Sequence, residues 1–271
     1  MKKYDKVFVI GFNKTATCSI DALFKYNGWK TQHRDGLWET DKFEVFSDQH
    51  PDATDRNDFK SLFSQHPQSL FILNVRGLSK WAISRCGHII FSKALQRINK
   101  TPAKNQGRSW AYPSIAEFPE EFGLQPVSDN LKKMYVEYMI EKVGGWVQER
   151  EDYHKDILNF FTKDPSRLLL VDIHNPWKTF VIDHCMEVVP NPEETGDRMK
   201  ASDRENFGEV KSLSNTDKKL YDDFMNTHFE LVQKVLDTVL REYPPHTSSS
   251  KLLHSPEESS KFLKIYKNNF S

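Results

Sequence analysis

Residues 6–12 read Lys-Val-Phe-Val-Ile-Gly-Phe, a nearly continuous apolar run with β-branched side chains. This predicts a strand buried on both faces of a parallel sheet, because alternation with polar residues arises only where one face meets water. From Thr17 the spacing becomes helical, with Ile20, Leu23, Phe24 and Tyr26 on the apolar side and Asn27-Gly28 as the stop. A short second strand is predicted over 29–33, a third over 70–76 (LFILNVR) and a fourth over 167–173 (RLLLVDI). A helix is expected over 79–96, carrying Trp81, Ile83, Ile89, Ile90 and Leu95, and another through Trp177, Phe180 and Val181. Strands alternating with helices imply βαβ crossovers and a parallel sheet flanked by helices.

Other segments are helical without a neighbouring strand. Ser128-Asp129 can cap a helix whose Leu131, Met134, Tyr135, Tyr138 and Met139 make one apolar face; Gly144-Gly145 is expected to break it before 146–161 resumes. Ser214 and Asp217 form a loose capping box ahead of Leu220, Phe224, Leu231, Val235 and Leu236, and Pro244-Pro245 ends that helix. Residues 101–127 lack periodicity and read as a long loop, of the kind that serves as a lid or binding loop. There is no linker before the far C-terminus, so one domain over 1–245 with a polar, mobile tail over 246–271 is expected.

Composition narrows the function. Hydrophobic residues make up 38% of the 271-residue chain, enough for a sizeable core. Lys+Arg and Asp+Glu both number 38, so no overall field favours nucleic acid or an anionic membrane, and any anion site must be local. The uncharged run from Val7 to Phe12 is too short for a signal-peptide core or a membrane span. Three cysteines, Cys18, Cys86 and Cys185, show neither metal-ligand spacing nor an even count, which points to a reducing, cytoplasmic setting and no metal site.

One local anion site does stand out. Gly11-Phe12-Asn13-Lys14-Thr15-Ala16-Thr17-Cys18-Ser19 lies where the first strand gives way to the first helix. A helix start leaves backbone N–H groups unpaired and carries the positive end of the dipole, so it receives phosphate well. Lys14 adds a charge, and Thr15, Thr17 and Ser19 add hydroxyls. The segment lacks the second glycine and the Lys-Ser/Thr pair of a Walker A loop. It resembles instead the 5′-phosphosulfate loop of sulfotransferases, commonly Pro-Lys-Thr-Gly-Thr-Thr-Ser, matching at Lys14, Thr15, Thr17 and Ser19 and departing at Asn13, Ala16 and Cys18. Ala16 adds a methyl where the family has glycine, at greatest cost if the loop needs a positive φ there. Cys18 replaces a hydroxyl by a weaker donor.

The resemblance extends in order along the chain. A strand ending Val75-Arg76, with Ser84 eight residues beyond the arginine, is similar to the family's 3′-phosphate site. His33-Arg34-Asp35, Asp52-Ala53-Thr54-Asp55 and Leu169-Leu170-Val171-Asp172-Ile173 match a subgroup, and Val188-Val189-Pro190-Asn191-Pro192 is a partial echo of a later segment; Lys200 and Arg204 are further candidates for the 3′-phosphate. The resemblance implies an α/β, P-loop NTPase-like three-layer fold with a central parallel sheet. It implies transfer of a sulfuryl group from 3′-phosphoadenosine-5′-phosphosulfate (PAPS) to a hydroxyl or amine of a small-molecule acceptor. The cofactor would be held by Lys14, Thr15, Ala16, Thr17, Cys18, Ser19, Arg76 and Ser84. Lys14 would stabilise the leaving phosphate, and His33 or Asp55, or the two together, would take the acceptor's proton. The transferred group carries less charge than a phosphoryl group, so no metal is required. Trp110, Tyr112, Phe118 and Phe122 of the 101–127 loop are candidates to line an acceptor pocket. The alternatives are a P-loop kinase using ATP and magnesium, and a nucleotide-binding module without turnover, which Ala16 and Cys18 favour.

Overall fold

The computed structural model describes residues 1–13, 15–33, 37–48, 58–78, 80–82, 84–85, 129–173, 177–187 and 214–242. They fall into two compact units. The described residues of Met1–Gly77 and Asp152–Ala201 form the first, and those of Leu78–Glu151 and Ser202–His246 the second. Along the chain the elements are β1 (Lys6–Val9), α1 (Thr17–Tyr26), β2 (Thr31–His33), β3 (Val45–Ser47), α2 (Phe59–Gln65), β4 (Ser69–Val75), α3 (Asp129–Phe161), β5 (Leu168–Asp172), α4 (Lys178–Cys185) and α5 (Asn215–Glu242).

The first unit is built on a five-stranded sheet in the order β2-β3-β1-β4-β5, with every pairing parallel. Strands β1, β3, β4 and β5 are largely apolar on both faces because both faces are covered, whereas the edge strand β2, Thr-Gln-His, is half-buried. Phe8, Ile10, Phe46, Phe71, Leu73, Leu168 and Leu170 meet Phe59 and Leu62 of α2 and Ile157, Leu158 and Phe161 at the end of α3. Val7, Val9, Val45, Leu70, Ile72, Leu169 and Val171 meet Ile20, Leu23 and Phe24 of α1 and Val181, Ile182 and Cys185 of α4. Each fully buried aliphatic or phenyl side chain contributes about 1.5–3 kcal/mol relative to exposure. Helix, sheet and helix therefore form three layers, the α/β architecture that the sequence predicts.

Several boundaries differ from the sequence reading. The strand predicted over 6–12 ends at Val9, and Gly11 is drawn into a polar clamp described below. No break occurs at Gly144-Gly145: α3 is continuous, with Met139, Val143, Val147 and Arg150 buried along it. Strand β3 and helix α2 have no counterpart in the prediction. Asp58 caps α2, accepting from Lys60 N–H at 3.3 Å and Ser61 N–H at 3.1 Å. Ser214 caps the start of α5, its Oγ accepting the Asp217 N–H at 3.2 Å and donating to Asp217 Oδ2 at 2.6 Å, so the serine half of the expected capping box is present.

In the second unit, residues 78, 80–82 and 84–85 are helical; the rest of the helix expected over 79–96 lies outside the described residues, as do the 101–127 loop, Ser128, Pro190, Lys200, Arg204, Pro244-Pro245 and the tail over 246–271. Among the described residues no helix is long and apolar enough to cross a membrane.

The connections create a topological switch point. From β1 the chain passes through α1 to β2, on one side of β1, whereas β4 leads to β5 on the other side. The carboxyl ends of β1 and β4 thus sit where the connections diverge, and in open α/β sheets ligands bind at such a switch point.

Candidate functional site

The loop leaving β1 is shaped by one buried side chain from β4. Asn74, with no exposed surface, accepts the Gly11 N–H through Oδ1 at 3.1 Å. Its amide nitrogen donates to the Thr15 carbonyl at 2.6 Å and to Thr15 Oγ1 at 2.7 Å. Thr15 Oγ1 donates in turn to the Phe12 carbonyl. The clamp explains the glycine: a Cβ at position 11 would stand 2.2 Å from the Asn74 carbonyl oxygen and 2.3 Å from its Oδ1. An amide inside a strand whose seven residues are all buried is tolerated because its polar atoms are matched.

The loop enters α1 through Ala16, at φ 66° and ψ 27°, a left-handed conformation that alanine adopts at a cost. The Ser19 and Ile20 N–H groups both bond to the Ala16 carbonyl, at 2.9 and 3.0 Å, and no side chain caps this end. A helix start so arranged directs main-chain N–H groups and a positive dipole end toward the carboxyl edge of the sheet. Two hydroxyls expected to face a phosphate are instead turned inward. Thr15 is fully buried in the Asn74 clamp, and Thr17, also buried, donates to Asp48 Oδ1 at 3.2 Å. Ser19 is half-buried on the first turn. Lys14 lies outside the described residues.

A second group of side chains gathers beside the helix start. His33 ends β2 and pairs in register with Ser47, the last residue of β3, so both side chains leave the same face. His33 Nδ1 lies 2.7 Å from Ser47 Oγ, and Nε2 lies 3.1 Å from Cys18 Sγ and 3.8 Å from Asp48 Oδ2. Burial alone would lower the His33 pKa, but the hydrogen bond to Cys18 and the charges of Asp48, Cys18 and Asp21 outweigh it, and the pKa rises above the ordinary histidine value. The carboxylate that the structure places against His33 is therefore Asp48. Asp55 lies outside the described residues, as do Arg34-Asp35 and Asp52-Ala53-Thr54.

Arg76 follows directly on β4, half-buried, one strand over from the loop. Ser84 is helical and belongs to the second unit, whereas Arg76 belongs to the first. The structure thus brings Cys18 and His33 together and sets Arg76 and the Gly11–Ala16 loop on adjacent strand ends. Sequence reasoning missed Asn74, Ser47 and Asp48. Asn74 was visible as the only uncharged polar residue within LFILNVR, and Ser47-Asp48 as the polar end of the short apolar run Val45-Phe46. Among the described residues no group of three or more His, Cys, Asp or Glu side chains is arranged to hold a metal ion.

No family model matches the chain, and neither the curated proteins nor the solved structures include one with significant similarity to it.

Proposed function

We propose that the chain is a P-loop-type sulfotransferase that moves a sulfuryl group from PAPS to a hydroxyl or amine of a small-molecule acceptor. The observation that carries this reading is the left-handed turn at Ala16, which opens α1 at the sheet's switch point with the loop before it pinned by Asn74. That is the backbone arrangement an anion site needs, and it falls on the segment whose residues resemble the 5′-phosphosulfate loop. The phosphosulfate would lie on the N-terminal turn of α1, held by main-chain N–H groups from Thr15 to Cys18 and by Lys14. Thr15 and Thr17 serve by holding the loop, since their hydroxyls are engaged within the protein. Arg76, at the next strand end, would take the 3′-phosphate, and guanidinium geometry suits a phosphate bidentately. His33 in its neutral form would accept the acceptor's proton. A reducing, cytoplasmic location suits the exposed Cys18 thiol.

One observation favours a second reading, a nucleotide-binding module without turnover. His33 Nε2 already faces Cys18 Sγ, and its surroundings favour the charged form, which cannot take a proton.

Calorimetric titration with 3′-phosphoadenosine-5′-phosphate, without metal, tests the site. Micromolar binding, weakened by more than about tenfold (about 1.4 kcal/mol) in both Lys14→Ala and Arg76→Ala, is the expected result. Binding of ATP with magnesium but not of this ligand would replace the reading with a kinase. Binding without transfer to any member of a phenol, alcohol, amine and sugar panel would favour the module.

A further inference from the structure

Cys18 is not an isolated thiol. It stands second in α1, exposed to solvent, with the half-buried His33 imidazole at hydrogen-bond distance, 3.1 Å from Sγ to Nε2. Ser47 Oγ holds the other ring nitrogen at 2.7 Å, Asp48 Oδ2 lies 3.8 Å from Nε2, and Asp48 is itself tied to α1 by the Thr17 hydroxyl. A nucleophile, a base within reach of it and groups that orient the base make up the constellation of an activated nucleophile. Two further features favour the thiolate over the thiol. The first turn of a helix stabilises negative charge, and a neighbouring imidazolium does so more strongly. Asp21 of α1 and Asp48 both act on His33 in the direction that keeps it charged. Cys185 provides the contrast, since it has no exposed surface and burial pushes its thiol pKa up.

We propose that Cys18 and His33 form a thiolate–imidazolium pair, and that Cys18 is a site of reversible S-thiolation by low-molecular-weight disulfides. The Cys18 thiolate attacks one sulfur of the disulfide. A new S–S bond forms to Sγ, the original S–S bond breaks, and the departing thiolate takes its electron pair and the proton held on His33 Nε2. Overall, one protein thiol and one disulfide give one mixed disulfide and one free thiol. The exposure of Cys18 leaves the attached group in solvent, and His33 supplies the proton that a poor leaving group needs. The inference does not depend on what the β1–α1 loop binds.

The test uses the full chain carrying Cys86→Ser, treated at pH 6 with oxidised glutathione and, separately, with iodoacetamide, with modification located by peptide mass spectrometry. At that pH an ordinary thiol with pKa near 8.5 is less than about 1% thiolate. Cys18 in the folded protein is expected to react at least about tenfold faster than Cys18 in the same protein unfolded in urea, and to form one glutathione adduct that dithiothreitol removes. Cys185 should stay unmodified until unfolding. His33→Gln, checked for folding by circular dichroism, should remove the advantage at pH 6 and move the rise of the alkylation rate to higher pH. Equal rates for folded and unfolded Cys18, or an unchanged pH profile in His33→Gln, would overturn the pair. Rapid alkylation without a glutathione adduct would overturn the S-thiolation.

Discussion

Position 16 carries a conformational cost at the entry to α1. The chain must turn left-handed there to open α1 at the switch point, and an alanine Cβ opposes that turn by about 1–2 kcal/mol. Glycine would remove the opposition while loosening the unfolded chain by about 0.4–1 kcal/mol. Ala16→Gly is therefore expected to raise stability by roughly 0.5–1 kcal/mol, read as a higher midpoint in urea with an unchanged slope. A lower midpoint would show that the left-handed turn does not persist in solution. His33 makes the second residue-scale prediction. Followed by NMR, its titration midpoint should lie above the unperturbed value of about 6.5 and fall in Asp48→Asn, which removes one of the charges that raise it. The sign fixes two consequences. Stability contributed by charged His33 is complete below about pH 6.5 and is lost as pH rises through the raised folded value. If neutral His33 is the base in sulfuryl transfer, the same substitution shifts the rising limb of the rate profile to lower pH. At this scale the sequence was partly legible: a glycine missing from a phosphate-loop pattern marks position 16, whereas Asp48 lies at φ 67° after a strand too short to read.

Among the elements, the strands that were readable are the long apolar ones, β1, β4 and β5, whose composition reflects burial on both faces. Strand β3 escaped notice because three residues cannot establish a period, and α2 because seven residues give barely two turns; its start at Asp58 is set by a cap. Helix α3 was misread for the opposite reason. Two adjacent glycines cost about 2 kcal/mol of intrinsic propensity together, but Val143 and Val147, either side of them and nearly fully buried, hold the helix through the pair. Gly145 is exposed, and a Cβ there would meet nothing within 4 Å. Gly145→Ala should accordingly stabilise the protein by about 1 kcal/mol in urea denaturation. A loss of stability would mean that the helix does break there.

For the whole molecule, the fold class followed from strands alternating with helices, while the strand order did not, because a strand missing from the prediction changes every neighbour beyond it. The order found, β2-β3-β1-β4-β5, makes β4 and β5 partners although residues 78–151 of the second unit intervene between them. Parallel pairing over such a separation requires closing a long loop first, which slows folding. On the ribosome this becomes a matter of timing. By the time Arg76 has left the exit tunnel, every residue of the β1–α1 loop, its Asn74 clamp and the Cys18–His33 pair has emerged. The sheet, however, then ends in β4, seven buried residues whose partner along that edge among the described strands, Leu168–Asp172, has yet to emerge. A chain stopped before Pro165 is expected to sediment as aggregate, whereas one carried past Cys185 stays in the supernatant. The nascent protein therefore presents the residues of its β1–α1 loop early and gains cover for β4 late, and a chaperone that shields extended apolar strands has its moment of use in that interval.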